Sequence, residues 1–199
     1  MTERILLVGM MGAGKTTTGR LVAEKLGWEY LDSDAEVERT TGLTVPALFA
    51  RDGEAAFRDA EADALRRACA TPDAVVVAVA GGAVLRPENR SLLRASGRVI
   101  WLRARPETLA ARVGDGAGRP LLDGDASAAL ISLDSVRRPY YAEVADETID
   151  VDDLGPDEVA AQIVDREIRT SGDGRTSGAD RESGESGISG ASGTSGAGR

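Results

Sequence analysis

The chain has 199 residues, a formal net charge of −9, one cysteine and no histidine. This length suits one α/β domain with a sizeable core and leaves no room for a second full domain. The composition argues against a nucleic-acid-binding surface, which needs clustered lysine and arginine, and it excludes both an internal disulfide and imidazole catalysis.

The first predicted strand, residues 4–8, leads directly into a glycine-rich turn. Residues 9–16 spell GMMGAGKT, which fits the phosphate-loop pattern GxxxxGK[ST] and precedes an amphipathic helix predicted at residues 14–26. The glycines let backbone N–H groups converge on a phosphate, Lys15 adds a cation, and the Thr16 hydroxyl can ligate Mg²⁺. A chance glycine-rich turn is the alternative, but the strand and helix on its flanks favour a nucleotide-binding loop.

An acidic segment, Asp32-Ser33-Asp34, follows the second predicted strand at residues 28–31. Alternation along an extended segment would place both carboxylates on one side of the chain. Ligands of an open parallel sheet bind beyond the carboxyl ends of its strands, so we expect Asp32 and Asp34 to face the phosphate loop. The alternative is that Asp34 only caps a helix that begins at residue 35, which would explain one carboxylate but not both.

Two further helices are predicted at residues 45–50 and 53–70, the second with apolar residues at helical spacing. Arg58 lies near the start of the second helix, where the helix dipole disfavours a cation, so it needs an anionic partner. Spacing alone favours a salt bridge with Glu54 or Glu61 over an anionic ligand.

The second half of the chain continues to alternate strands and helices. A β-branched run at residues 75–79 predicts a buried parallel strand. Gly81 and Gly82 follow it and permit a close backbone approach, although a plain turn explains them equally well. Further elements are predicted as helices at 87–95, 106–113, 126–142 and 156–168 and as strands at 99–102 and 148–151. This order predicts a doubly wound parallel α/β sheet.

Two glycine-rich stretches interrupt or follow this pattern. Residues 114–120 end in Arg119-Pro120, and their composition predicts the low local stability of a mobile lid. After Arg169 the sequence consists mainly of Ser-Gly pairs with scattered charges, too polar to offset its ordering entropy. We therefore expect one domain at residues 1–169 and a disordered Gly/Ser-rich tail at residues 170–199.

Taken together, these motifs resemble those of shikimate kinases, a family with a P-loop fold of the nucleoside-monophosphate-kinase type and a mobile lid. The likeness covers nearly all of residues 3–168. The segments on which the likeness depends are GMMGAGKTT at 9–17, LDSD at 31–34, FR at 57–58, GGAV at 81–84, RPLL at 119–122 and RRPYY at 137–141. The resemblance implies transfer of the γ-phosphate of ATP to the 3-hydroxyl of shikimate, in the route to chorismate and aromatic amino acids.

The resemblance implies an ATP site with Mg²⁺ as the cofactor. Residues of the phosphate loop and of the adenine-stacking region would bind the nucleotide: Gly12, Ala13, Gly14, Lys15, Thr16, Thr17, Arg112 and Pro156. Thr16 and Asp32 would lie on the Mg²⁺ side, with Asp32 acting through water. The lid residue Arg119 would approach the transferring phosphates and, with Lys15, supply the charge that phosphoryl transfer requires.

The resemblance also assigns the residues that would hold shikimate. Arg58 and Arg137 match arginines that bind the substrate carboxylate, a group that suits a planar guanidinium. Asp34 matches the residue that accepts hydrogen bonds from the substrate hydroxyls and takes the 3-hydroxyl proton. The residues 81–82 match glycines that let the substrate lie against the backbone. Together with Lys15 and Arg119, Asp34 completes the implied catalytic set.

Other classes of function compete with this interpretation. A kinase for another small polyol acid, such as gluconate, would share the phosphate loop but not the FR, GGAV and RRPYY segments. A nucleotide-dependent switch protein would carry an Asn-Lys-x-Asp motif, which the sequence lacks. A non-catalytic relative should have lost Lys15, Asp34 or Arg119, and all three are present.

The expected partners are therefore the small molecules ATP and shikimate, without nucleic acid or membrane. No basic and apolar signal region precedes the first strand, and no apolar run approaches membrane-spanning length. We expect a cytoplasmic protein that acts as a monomer.

Overall fold

The computed structural model describes residues 3–114 and 126–176, with side chains described at residues 3–114 and 127–169. The predicted lid from residue 115 onward, including Arg119, and the tail after Thr176 lie outside these residues. The chain divides into two compact units, Met1–Val164 and Asp165–Arg199. All the described strands belong to the first unit, and the described part of the second is helical.

A five-stranded sheet with the order β2-β3-β1-β4-β5 forms the centre of the first unit. Every neighbouring pair of strands is parallel. Its strands are β1 Arg4–Val8, β2 Glu29–Asp32, β3 Val75–Ala78, β4 Arg98–Arg103 and β5 Glu147–Asp150. Strand β3 is buried at every residue, which a parallel strand requires when helices cover both faces of the sheet.

Helices connect the strands in the predicted alternation, so the doubly wound α/β fold is confirmed. They are α1 Lys15–Leu26, α2 Ser33–Thr41, α3 Val45–Cys69, α4 Pro87–Ser96, α5 Pro106–Val113, α6 Ala126–Val144 and α7 Pro156–Thr176. A short 3₁₀ turn, Ala83–Leu85, lies between β3 and α4. None of the helices in the described part of the chain combines the length and apolar character needed to cross a membrane.

Two helices, α3 and α7, differ most from the sequence predictions. The helices predicted at 45–50 and 53–70 form one element, α3, in which Gly53 alone is non-helical, with φ 82° and ψ 176°. Helix α7 continues to Thr176 instead of ending at residue 168, so the expectation of disorder is wrong for residues 170–176. Propagation adds one backbone hydrogen bond per residue, so a helix can run past the end of its apolar pattern.

A small second core supports the region that follows β2. The side chains of Val37, Leu48, Phe57 and Ala64 are buried together between α2 and α3. The rings of Phe49 and Phe57 meet at a centroid distance of 5.6 Å. This packing is separate from the main core around the sheet, and it fixes α2 and α3 beyond the carboxyl end of β2.

Candidate active site

The phosphate loop joins β1 to α1 at the carboxyl edge of the sheet, where the sequence predicted it. Gly14 is the N-cap of α1 and has a left-handed φ of 92°, which favours glycine. At Gly12 a Cβ would lie 2.8 Å from Val113 Cγ2, so only glycine fits between the loop and α5. The loop thus leads into a helix N-terminus, a position that favours phosphate.

Lys15 folds back over this loop. Its Nζ donates hydrogen bonds to the carbonyl oxygens of Gly9, at 2.8 Å, and Met10, at 3.1 Å. These bonds hold the ammonium group above the turn, in the position where a phosphate chain would meet the loop. The role of Lys15 as a phosphate-side cation stays a prediction.

A cavity of about 470 Å³ opens over the loop. All the described residues that were predicted to bind ATP line it: Gly12, Ala13, Gly14, Lys15, Thr16, Thr17, Arg112 and Pro156. Arg112 is fixed there because its Nη2 donates to the carbonyl oxygen of Val151 at 2.6 Å. We refer to this space as the nucleotide cavity.

The acidic pair also lines the nucleotide cavity, but not through the predicted geometry. Asp32 ends β2 and is the N-cap of α2, where its Oδ1 accepts a hydrogen bond from the backbone N–H of Asp34 at 3.0 Å. Asp34 therefore lies in the first helical turn. The prediction of alternation along an extended segment is wrong, and so is the alternative that Asp34 is the cap. The helix begins at Ser33 because Asp32 satisfies one of its free N–H groups, that of Asp34.

Oxygen atoms suited to Mg²⁺ meet beside the phosphate loop. The Oδ2 of Asp32 accepts hydrogen bonds from the hydroxyls of Thr16, at 3.0 Å, and Tyr30, at 3.1 Å. Among the described residues there is no group of three or more histidine, cysteine, aspartate or glutamate side chains that could hold a metal ion. Mg²⁺ in kinases uses one or two protein oxygens and completes its shell with water and phosphate, so this hydroxyl–carboxylate pair fits it.

Asp34 has an unusual electrostatic environment. Its side chain is exposed to the cleft, yet the surrounding walls remove much of its hydration, and this raises the pKa of its carboxyl. The negative charges of Asp32, Glu61 and Glu38 raise that pKa further, Lys15 opposes them, and the pKa reaches about 6. A carboxylate with this pKa is well placed to accept a proton near neutral pH.

Arg58 forms the salt bridges that its spacing predicted. Its Nη1 lies 2.8 Å from Glu61 Oε2 and its Nη2 lies 3.1 Å from Glu54 Oε1. Glu61 is 2% exposed, and burial raises the pKa of its carboxyl, while Arg58 acts in the opposite direction. The guanidinium has five N–H groups, so these bonds leave it donors for a ligand. The salt bridge and the ligand role are therefore compatible.

A second cavity, of about 310 Å³, lies beside Arg58. We refer to it as the substrate cavity. It contains all the residues predicted to bind shikimate and an apolar wall: Asp34, Arg58, Gly81, Gly82 and Arg137, with Val45, Pro46, Phe49 and Phe57. Arg137 is 2% exposed, and its Nε has no hydrogen-bond partner in the described part of the chain. Two buried guanidinium groups thus face one cavity, an arrangement that suits an anionic group.

Gly82 is needed for a reason that sequence analysis did not find. A Cβ at this residue would lie 2.1 Å from Arg58 Nη1, so any side chain here would displace the Arg58 guanidinium from its present position. The glycine therefore accommodates the arginine. A sequence pattern could not indicate this contact, because it joins two segments that meet only in the folded sheet.

Three other buried contacts also escaped the sequence analysis. The hydroxyl of Ser33 accepts a hydrogen bond from the backbone N–H of Ala80 at 2.7 Å. Tyr141 donates its hydroxyl to the carbonyl oxygen of Gly81, also at 2.7 Å. Asn89 donates to the carbonyl oxygen of Ala83 at 3.0 Å. Of these, only Tyr141 left a signal in the sequence, since it lies one helical turn after Arg137.

The two cavities meet at residues that line both of them. These are Met11, Lys15, Asp34 and Ala80. A phosphate held by the loop and an anionic substrate held by the two arginines would therefore approach each other between a cation and a carboxylate. This arrangement supplies the positioning and charge stabilisation on which phosphoryl transfer depends.

Comparison of the sequence with known proteins points to one family. A family model described as shikimate kinase matches residues 11–167. The shikimate kinase of Moorella thermoacetica is 47% identical over 163 residues, which cover 82% of this chain and 93% of the relative. The shikimate kinase of Symbiobacterium thermophilum is 48% identical over 165 residues, with 81% and 94% covered.

Solved structures give the same result. A structure titled as the shikimate kinase of Acinetobacter baumannii in complex with shikimate has a TM-score of 0.81 and 38% identity, covering 85% of this chain and 95% of that one. A gluconokinase from Sinorhizobium meliloti has a TM-score of 0.60 and 20% identity, covering 88% and 97%. The likeness to the gluconokinase shows a shared fold alone.

Proposed function

The chain belongs to the shikimate kinase family, and from this premise we propose that it transfers the γ-phosphate of ATP to the 3-hydroxyl of shikimate. The products are shikimate 3-phosphate and ADP, in the route to chorismate and aromatic amino acids. The observation that carries the proposal is the meeting of the nucleotide cavity and the substrate cavity at Lys15 and Asp34.

Arg58 and Arg137 hold the shikimate carboxylate in this proposal. Both side chains are buried and line the substrate cavity, so the charge pairs they form are shielded from water. Glu54 and Glu61 keep Arg58 in place, and they compensate its charge when no substrate is bound.

The apolar wall favours a cyclic acid over an open-chain polyol acid. Phe49 and Phe57 line this cavity and give it apolar surface that suits the carbon skeleton of a cyclohexene ring. An open-chain acid such as gluconate carries a hydroxyl on almost every carbon and would leave those hydroxyls unpaired against this wall. Shikimate is therefore preferred to gluconate as the substrate.

Asp34 aligns the substrate hydroxyls and accepts the proton of the 3-hydroxyl as the phosphorus–oxygen bond forms. Lys15 and the loop N–H groups stabilise the charge on the phosphates. Thr16 and Asp32 would hold Mg²⁺, which neutralises phosphate charge when it is bound. Arg119, for which the family resemblance proposes a phosphate contact from the lid, lies outside the described residues.

We also propose that the enzyme acts as a monomer in the cytoplasm. The described groups proposed for the reaction all line the two cavities of the first compact unit, so the proposal needs no residue from a second copy. Cytoplasmic ATP then serves as the phosphate donor.

A coupled assay of ADP release tests this function. It compares shikimate, gluconate and a shikimate analogue without the carboxylate, using the wild type, Arg58→Ala and Arg94→Ala as a matched surface control. Arg94 forms its salt bridge with Glu143 and is half exposed. We expect rapid ADP release only with shikimate, and we expect Arg58→Ala to lose most of the preference for the carboxylate. Equal rates of ADP release with shikimate and gluconate in the wild type would contradict the proposal.

A further inference from the structure

The side chain of Tyr141 is fully buried in the core, and its hydroxyl is its one polar atom. Tyr141 is 0% exposed, and its ring lies 5.8 Å from that of Trp101. The hydroxyl is 2.7 Å from the carbonyl oxygen of Gly81 and 3.7 Å from the sulfur of Met10. Burial raises the pKa of this phenol, while the Arg137 guanidinium, hydrogen-bonded to the hydroxyl, acts in the opposite direction. The phenol stays protonated, donates to Gly81 and accepts from Arg137.

The backbone that receives this hydrogen bond forms part of the wall of the substrate cavity. Its neighbours are also fixed by buried side chains, because Ser33 binds the N–H of Ala80 and Asn89 binds the carbonyl of Ala83. Among the described residues Tyr141 alone donates to the carbonyl of Gly81, so loss of the hydroxyl would remove the hydrogen bond that opposes a turn of this peptide. Glycine permits such a turn more readily than any other residue.

Tyr141 thereby determines the direction of one whole peptide group. In a trans peptide the C=O of Gly81 and the N–H of Gly82 point in opposite directions, so fixing one fixes the other. Among the described residues no backbone carbonyl accepts the N–H of Gly82. Gly82 lines the substrate cavity beside Arg58, so the direction of this peptide bears on the polar groups that the cavity presents to a ligand.

Helix α6 places two side chains beside the Gly81–Gly82 peptide. Arg137 and Tyr141 are four residues apart and lie on one face of the helix. A Cβ at Gly81 would lie 3.3 Å from the Tyr141 hydroxyl and 3.4 Å from Arg137 Nη1. The helix therefore sets the guanidinium and the peptide at fixed positions relative to each other.

We propose that Tyr141 is a positioning residue that sets the affinity for shikimate by fixing the Gly81–Gly82 peptide and the neighbouring Arg137 guanidinium in the wall of the substrate cavity. The inference rests on the proposed function, since it names the substrate of that site. A purely structural role makes a different prediction. In that case loss of the hydroxyl would destabilise the fold and leave the affinity for shikimate unchanged.

Tyr141→Phe tests the inference, with Tyr140→Phe as the matched control. Phe keeps the buried ring of Tyr141, and Tyr140 packs its ring against Arg90 at 4.4 Å without a hydrogen bond from its hydroxyl to any described residue. Calorimetric titration with shikimate and with ATP, well below the melting midpoint, gives both dissociation constants. Steady-state kinetics give KM and kcat on the same samples.

For Tyr141→Phe we expect the Kd and KM of shikimate to rise roughly fivefold, the loss of one neutral hydrogen bond. The Kd of ATP and the kcat should stay within about twofold, and Tyr140→Phe should match the wild type. An unchanged Kd for shikimate, or a parallel weakening of shikimate and ATP binding, would overturn the inference. A wild type that binds no shikimate would instead refute the proposed function.

Discussion

Arg58 forms salt bridges and lines a cavity with one side chain. Its position on α3 allows the salt bridges with Glu54 and Glu61 that helical spacing predicted, and it also faces the substrate cavity. Sequence spacing could find the first role because both partners are within one helical turn. The second role depends on the close approach of Gly82, which follows a different strand and becomes a neighbour only through the fold.

Arg58→Lys keeps the positive charge and removes the planar guanidinium, whose paired N–H groups can bind both oxygens of a carboxylate. We expect the KM for shikimate to rise about ten- to a hundredfold, because a charged bidentate contact is worth about 1.5 to 3 kcal/mol. The KM for ATP should change little. Steady-state kinetics with Arg94→Lys as the control measure both constants, and an unchanged KM for shikimate would show that Arg58 serves only its two glutamates.

Asp34→Asn should reduce turnover by about a hundredfold or more, because proton acceptance is lost. It should also raise the melting temperature at pH 7. The pKa of Asp34 is raised to about 6 in the folded protein, so the folded state binds the proton more tightly than the unfolded chain. That contribution to stability is present below pH 4 and is lost as the pH rises through 6.

The stabilising effect of Asn at this position should therefore shrink as the pH falls and vanish near pH 4. Melting curves between pH 4 and pH 8 measure it against the wild type. Asp63→Asn, at an exposed carboxylate of α3, is the control and should show no such trend. A melting temperature of Asp34→Asn that stays below the wild type throughout this range would contradict the electrostatic account of the site.

The strands of the central sheet were the elements that the sequence predicted best. Strand β1 has the predicted bounds, and β3 was recognised from its β-branched run because a fully buried parallel strand has no polar face. The start of α2 was predicted less well. Asp32 and Asp34 are equally good helix caps, and the pairing of Asp32 with Ala78 extends β2 to Asp32.

Gly53 interrupts α3 between Phe49 and Phe57, the two rings of the apolar wall. Its φ of 82° and ψ of 176° belong to a region that side chains strongly disfavour. Nothing lies within 4 Å of a Cβ at Gly53 or at Gly42, whose φ is 69°. A substitution at either residue therefore acts through the backbone alone.

Gly53→Ala should lower the free energy of unfolding by about 2 to 3 kcal/mol. Gly42→Ala, in the milder left-handed region, should lower it by only about 1 kcal/mol. Urea titrations followed by circular dichroism give both values. Equal losses for the two variants would indicate that α3 can straighten at Gly53 without strain.

At the scale of the whole molecule, the general rule for parallel sheets predicted where the site would lie. The phosphate loop, the acidic pair and the paired glycines follow β1, β2 and β3, whose carboxyl ends share one edge of the sheet. The division into two cavities that meet at Lys15 and Asp34 could not be predicted, since it depends on side-chain positions. The roles of the individual site residues, including Arg119 in the lid, stay predictions.

The part of the Gly/Ser-rich tail that follows Thr176 is expected to contribute neither stability nor activity. Residues 177–199 contain one large apolar residue, Ile188, so they have little apolar surface to bury. A chain that ends at Thr176 should keep its melting temperature and its turnover with shikimate. A thermal melt and the ADP-release assay on the shortened chain check this, and aggregation or loss of activity would give the tail a role.

The identity of the phosphorylated product tests the central claim most directly. Phosphorus NMR with proton coupling, on a reaction of ATP and shikimate, shows which hydroxyl carries the new phosphate. Lys15→Ala should form no product, and Lys25→Ala, which changes the other lysine of the chain at the far end of α1, should behave as the wild type. We predict one phosphomonoester coupled to the proton at carbon 3 of shikimate. Phosphate on another hydroxyl, or release of orthophosphate alone, would contradict the account.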